Sequence, residues 1–206
     1  MKDTCAKHKR SGDGGFSLLE MIVVIAIILV LAAMTIPRVM TQVYSIRIQY
    51  SATDLSGLLQ RARMEAVRKN SFYSVQYVGG NPAMEQIVDK TLAVPVPAIP
   101  PAVLASSVTA VYGTGSGAPG EAAFVAALNF PTGVAAAATG LPSFNARGLP
   151  CVRISATICQ QFTGQGFVFF LSGTSAAGAV GWSAVAVTPS GRCEVFSYDG
   201  TNWNQR

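Results

Sequence analysis

The chain has 206 residues, half of them apolar and only 12% charged, with a formal net charge of +5 and a mean hydropathy of +0.38. That charge-poor composition fits a β-rich exterior domain better than a cytoplasmic enzyme, and the length suits one compact domain carried on a stem. The positive excess is weak evidence for nucleic acid, because Lys2, Lys7, Lys9 and Arg10 against Asp3 and Asp13 contribute +2 of it, leaving +3 for the rest.

The first element is a basic segment of 15 residues ending in Gly14-Gly15, followed by Phe16-Ser17-Leu18-Leu19-Glu20 and an uncharged run from Met21 to Ile36. Phe16 to Ile36 is long enough to cross a bilayer, which takes about 20 apolar residues. The basic residues upstream keep that end cytoplasmic. Glu20 is the anomaly. A charged residue at the centre of a membrane helix costs about 2.5 to 3.5 kcal/mol, so such an acid asks for a partner or a function. The nearest cations in sequence are Arg10 and Arg38. At about 1.5 Å rise per residue Arg38 is about 27 Å away along the axis, out of reach. The partner therefore comes from another chain. Cleavage between Gly15 and Phe16 would create an α-amine close to Glu20, and in a staggered array of helices the amine of one subunit meets the carboxylate of the next. An ordinary secretory signal cut near Ala32 or Ala33 would leave Glu20 without a purpose. Lipoprotein anchoring is disfavoured because Cys5 precedes the apolar run.

Beyond Pro37 the apolar positions Val39, Val43, Ile46, Tyr50, Leu55, Leu58, Leu59, Ala62, Ala66 and Val67 recur every three or four residues, which predicts an amphipathic second half of one long helix. Pro37 predicts a kink. Arg38, Arg47, Arg61, Arg63, Arg68 and Lys69, opposed by Asp54 and Glu65, read as a solvated face. Asn70 ends the helix. Strands are predicted over Ser71–Val78 and briefly over Gln86–Asp89, with Gly79-Gly80-Asn81-Pro82 between them. The prolines of residues 94–101 predict an extended surface loop. Val103–Tyr112 reads as one strand, residues 113–120 as a turn region, Ala122–Phe130 as another strand, and residues 134–140 as either a helical turn or a loop. Four late strands follow, Val152–Ser155, Gly166–Ser172, Trp182–Thr188 and Cys193–Tyr198, with Pro189-Ser190-Gly191 turning between the last two. With the first strand they predict a single sheet packed on the apolar face of Leu55–Val67. Tyr198-Asp199-Gly200 reads as a turn, and Trp203 as a packing or partner contact.

A basic leader ending in Gly15, an aromatic at Phe16, an acid at the fifth place after the junction and a long apolar run containing Pro37 resemble the start of type IV pilins and pseudopilins. Three further segments narrow the resemblance to GspH/FimT-type minor pilins and pseudopilins: Leu58–Asn70 at the helix end, Phe144-Asn145-Ala146-Arg147-Gly148-Leu149-Pro150, and Val185–Arg192 with Ser-Gly-Arg at its turn. Residues 81–139 align with nothing in that pattern. The resemblance implies an α+β pilin fold, a long N-terminal helix packed on a C-terminal antiparallel sheet. It divides the chain into a leader (1–15), a transmembrane helix half (16–37), an amphipathic half (38–70) and an exterior β-rich domain (71–206). It further implies cleavage between Gly15 and Phe16 by prepilin peptidase, N-methylation of Phe16, and assembly through Phe16 and Glu20 with other pilin or pseudopilin subunits. The chain would sit in the bacterial inner membrane with its C-terminal domain periplasmic, then in a filament or at its tip. Two jobs are implied, a structural or priming subunit of a type II secretion pseudopilus or type IV pilus, and, as the alternative, a DNA receptor in natural transformation. DNA-binding members are associated with a Gly-Arg-x-Arg motif. Here Gly191-Arg192-Cys193-Glu194 puts an acid in the second arginine's place, which disfavours phosphate and leaves Arg192 as the one candidate nucleic-acid contact.

Removal of the leader takes Cys5 with it and leaves Cys151, Cys159 and Cys193 on the oxidising side, enough for one disulfide and one thiol. Cys151 with Cys159 is the favoured pair, joining the ends of a candidate hairpin, with Cys193 still open as a partner. The only histidine, His8, lies in the leader. The remainder therefore offers no Ser-His-Asp or Cys-His arrangement and no histidine ligand for zinc. No enzyme activity, metal or cofactor is expected.

Overall fold

The computed structural model describes residues 17–80, 82–89, 95–96, 99–135, 140–161, 163–174, 178 and 180–206, and of positions 37, 38, 40 and 41 the backbone alone. The first helix, α1 (Leu18–Arg68), is followed by the strands β1 (Tyr73–Val78), β2 (Met84–Val88), β3 (Ala102–Val103) and β4 (Val108–Tyr112). A short helix α2 (Glu121–Ala127) precedes β5 (Leu141–Phe144), β6 (Pro150–Arg153), β7 (Cys159–Gln160), β8 (Phe167–Thr174), β9 (Val180–Val187), β10 (Cys193–Tyr198) and β11 (Trp203–Gln205). The architecture is α+β, a long N-terminal helix followed by antiparallel sheets. The chain divides into two compact units between Val39 and Met40, inside α1.

In the second unit α1 buries one stripe, Ile48, Ala52, Leu55, Leu59, Ala62 and Ala66. Spacings of four, three, four, three and four keep these residues on one face of a 3.6-residue helix. Its C-terminus is closed by Asn70 at φ +47, with Ser71 N donating to Ala66 O at 3.1 Å and Asn70 N to Val67 O at 3.2 Å. An asparagine tolerates this left-handed cap better than most residues with a Cβ. The carboxylate of Glu65, three residues before Arg68, accepts from it at 2.9 and 2.5 Å.

Two sheets, not one, meet that helix. One runs in the order β3-β2-β1-β5-β6-β7 and the other β11-β10-β9-β8-β4. The expected single sheet is thus split, with β1 and β6 in the first and β8, β9 and β10 in the second. The reason lies in the second sheet's faces. Phe167, Phe169, Leu171, Val185 and Val187 join the core with α1, whereas Val168, Phe170, Ala184 and Ala186 join a second cluster with Phe124 of α2. A sheet covered on both faces reads as a continuous apolar run with no alternation to reveal its layer. At the register pair Gly173↔Gly181 a Cβ on Gly181 would lie 2.5 Å from Ile48 Cδ1, so the absence of a side chain there lets α1 lie against the sheet.

Three further expectations change. Residues 103–112 form two strands in different sheets, because Ser107 at φ +69 turns the chain and Val108 N closes on Ala105 O at 2.9 Å. Residues 121–127 are helical where a strand was expected. Ala122, Ala123, Ala126 and Ala127 favour helix, and Phe124 and Leu128, four apart, share the face turned to the second cluster. The proline segment is not wholly a surface loop: Pro95 bridges Val88, Val96 N donates to Ile87 O at 3.0 Å, and Val96 and Ile99 pack on the core. Residues 94, 97 and 98 of it lie outside the described residues. So does most of 134–140, of which Val134 pairs with Gly166.

Candidate functional site

In the first unit, Ser17 precedes the helix and its Oγ accepts from Glu20 N at 3.4 Å, while Met21 N donates to Ser17 O at 3.2 Å. Ser-x-x-Glu is the pattern of a capping box, and an acid in the first turn also opposes the helix dipole. The cap bond uses the backbone of Glu20, so for its carboxylate local structure supplies the dipole contact. Magnitudes limit that reading. The dipole contributes about 0.3 to 1 kcal/mol, against about 2.5 to 3.5 kcal/mol for a charge deep in a bilayer. Capping offsets only part of the cost if the helix is embedded.

Leu18–Ile36 is one helix long and apolar enough to cross a membrane, with none of the segment buried. Leu18 is 77% exposed, Leu29 64% and Leu31 59%. Such a continuous apolar surface far exceeds the patches of soluble monomers and calls for lipid or other helices as its surroundings. Thr35 Oγ1 donates to Leu31 O at 3.0 Å, so its hydroxyl is satisfied within the helix. Gly15 and Phe16 lie outside the described residues. Pro37 lies within α1, and its side chain is not described.

In the second unit the structure gathers the three segments singled out above around Arg63. Its guanidinium donates from Nη1 to Gly191 O at 3.1 Å and from Nη2 to Ser190 O at 3.3 Å. Gly191, at φ +82, lies where a Cβ would come within 2.5 Å of Gly148 O. Asn145 Oδ1 shapes the neighbouring turn by accepting from Arg147 N and Leu149 N. The helix end, the Asn145–Pro150 turn and the β9–β10 turn thus form one junction. In the sequence Arg63 read as part of a solvated face. No local pattern marks it, since Gly148 at φ +73 and Gly191 at φ +82 are both accounted for by their own turns.

Arg192, the candidate nucleic-acid contact, is exposed and holds Glu194 Oε1 at 3.4 Å from its Nε. Its backbone N–H donates to Thr188 Oγ1 within the turn. Cys151 and Cys159 form a disulfide, and Cys193 is a free thiol whose ionisation burial pushes up to about 11, leaving it protonated and a poor nucleophile. Glu85, on β2, is buried with Oε2 unpartnered, and desolvation pushes its carboxyl up to about 8. No group of three or more His, Cys, Asp or Glu able to hold a metal occurs among the described residues.

Residues 10–36 match the family model described as the prokaryotic N-terminal methylation motif. The chain carries a type IV pilin-like signal. The motif brackets Gly15, Phe16 and Glu20 and coincides with the exposed apolar helix. It supports a type IV pilin or pseudopilin processed by prepilin peptidase, assembling with other pilins and anchored in a membrane. It points to a structural protein more than to a catalyst. No match was found among curated proteins or among solved structures.

Proposed function

We propose that this chain is a minor pilin or pseudopilin of the GspH/FimT type, a structural or priming subunit of a type II secretion pseudopilus or type IV pilus. The observation that carries the reading is Glu20, an acid in the first turn of an unburied apolar helix, inside a methylation motif. Prepilin peptidase cuts between Gly15 and Phe16 and the new amine of Phe16 is methylated. In the assembled filament that amine neutralises Glu20 of a neighbouring subunit, fixing the axial register, while the apolar face packs among other helices. Pro37 loosens the helix where the anchor gives way to the stem. The protein resides in the inner membrane with residues 71–206 on the periplasmic side until assembly draws it into a filament.

Support for the DNA-receptor alternative is thinner. Arg192 shares its field with Glu194, and a carboxylate beside a phosphate-binding cation repels the ligand. Two substitutions test the main reading, and both keep the backbone cap on Ser17. Glu20→Ala removes the whole side chain, whereas Glu20→Gln keeps its size and polarity and deletes the charge. Both variants should be cleaved and remain in the membrane, and both should be excluded from sheared or purified filaments. Entry of Glu20→Gln at the wild-type level would refute the amine–carboxylate pairing.

A further inference from the structure

The β10–β11 hairpin and α2 enclose a cleft of about 450 Å³ whose chemistry the assembly reading does not use. Its position follows from strand register. Residues 194, 196 and 198 of β10 point to one face, and Tyr198 pairs with Trp203 and Phe196 with Gln205 across the hairpin, so these side chains share that face. Opposite them, α2 contributes Phe124 flanked by Ala123 and Ala127, whose small side chains leave the space open.

The aromatic rings are contiguous. Phe124 lies 4.7 Å from Trp203 and 5.0 Å from Phe196 between ring centroids, and Tyr198 lies 5.3 Å from Trp203. Trp203 is fixed in place by its Nε1, which donates to Pro119 O at 2.9 Å. The indole hydrogen bond is therefore satisfied inside the protein, and the cleft presents the partly exposed rings of Phe196, Tyr198 and Trp203, with Phe124 buried behind them. Ring faces carry a negative quadrupole and attract cations within about 6 Å. The single ionisable acid of the lining is Glu194, and no Lys or Arg lines the cleft among the described residues. That carboxylate is the one formal charge of the lining, and its partner Arg192, 3.4 Å away, lies outside it. Its size falls in the range of ligand sites, about 300 to 1,000 Å³, and it combines an apolar lining with a few polar groups as such sites do.

We propose that this cleft receives a cationic side chain, arginine or lysine, of a partner polypeptide, with the aromatic rings holding the cation and Glu194 supplying the counter-charge. The adjacent Arg192 serves as the cleft's own competitor. Its side chain is 72% exposed and its pair with Glu194 is long, so an incoming cation exchanges for it at little cost. Thr201, Asn202 and Gln205 at the rim offer hydrogen bonds to the flanking backbone. The acid at position 194, which argues against phosphate at the β9–β10 turn, here acquires a positive use. The inference stands apart from the filament reading, because it concerns the second unit alone.

The test uses the full chain in detergent micelles with ¹⁵N-labelled tryptophan, which gives two indole resonances, Trp182 and Trp203. Three probes are titrated: the peptide acetyl-Gly-Arg-Gly-amide, its neutral citrulline isostere, and maltose. The arginine peptide should shift the Trp203 signal saturably and the citrulline peptide should not. Glu194→Gln should weaken arginine-peptide binding about threefold to tenfold, and Arg192→Gln should tighten it, with thermal midpoints unchanged. Equal shifts with both peptides, no shift with either, or saturable binding of maltose in place of arginine would each overturn the proposal, the last in favour of a saccharide site.

Discussion

Gly191→Ala measures how much the Arg63 junction contributes to the domain. At φ +82 an alanine incurs the left-handed strain of about 1 to 2 kcal/mol. Its Cβ would also stand 2.5 Å from Gly148 O, a backbone atom that cannot swing aside as a side chain can. Relieving such an overlap by shifting backbone costs about 1 to 3 kcal/mol more and pulls Gly191 O away from Arg63. A total near 3 kcal/mol lowers the thermal midpoint of a unit this size by about 6 to 12 °C. Gly117→Ala is the control, since Gly117 has nearly the same angle, φ +76, and open space where its Cβ would go. There strain acts alone, and the expected drop is about 2 to 8 °C. Near-ultraviolet circular dichroism of the full chain in detergent reads both. Arg63→Met should lower the midpoint on its own and add less than its full effect in the Gly191→Ala background, because both changes break the same contacts. Equal drops for the two glycine variants would refute the steric argument, leaving backbone strain as the whole cost.

The other expectations follow from burial and covalent closure. Glu85 has its folded-state carboxyl raised to about 8 from an ordinary 4.5, so between those values the folded protein holds a proton that the unfolded chain releases. Stability is fully present below about pH 4.5 and falls as pH rises towards 8, by up to about 1.4 kcal/mol per pH unit. Glu85→Gln should flatten that fall in urea midpoints measured from pH 4 to 8.5, and parallel curves for wild type and variant would contradict the burial account. Reducing the Cys151–Cys159 disulfide, which spans eight residues, should cost about 2.5 kcal/mol by loop-closure entropy, seen as a lower midpoint in reductant that Cys151→Ser reproduces. Leu59→Ala should cost about 3 to 5 kcal/mol, since Leu59 is fully buried, whereas Met64→Ala one turn on, 63% exposed, should change the midpoint by less than about 0.5 kcal/mol equivalent. Glu20→Gln should leave the melting of the second unit unchanged while blocking assembly, and a lowered midpoint would assign the residue to folding.

Where one face of an element meets water and the other the core, the sequence carried the structure in part. On α1 the expected positions Leu55, Leu58, Leu59, Ala62 and Ala66 are buried, but Val39, Val43, Ile46, Tyr50 and Val67 of the same pattern are exposed, with Ile48 and Ala52 buried instead, because the core-facing stripe is offset from the apolar one at both ends. The turn through Ser190-Gly191 follows from its residue types. Where both faces are covered, periodicity fails. β8 is buried from Phe167 to Leu171, so its residues could not reveal that alternate side chains belong to different clusters, and the second sheet with its cover helix went unseen. The misreading of α2 has the same origin. In a seven-residue apolar segment, alanines that favour helix and a Phe and Val that favour strand compete closely, and only the packing of Phe124 between Phe196, Phe170 and Trp203 decides.

For the functional residues the division is between chemistry written in order and chemistry assembled in space. Glu20 stands out because its surroundings in sequence are also its surroundings on the helix, so one unbroken apolar run exposes the anomaly. Arg63 and the aromatic cleft depend on contacts between residues far apart in the chain: 128 positions separate Arg63 from Gly191, and Trp203 reaches back 84 to Pro119. No pattern within a window of ten or twenty residues records such contacts. For the cleft one trace does survive as an unexplained choice, the acid at Glu194 where a cation would serve phosphate. Beside a lone arginine it reads as a mere loss of phosphate affinity, but in one cleft with the partly exposed rings of Phe196, Tyr198 and Trp203 it becomes the counter-charge of a cation site, and only the register of β10 on β11 distinguishes those readings.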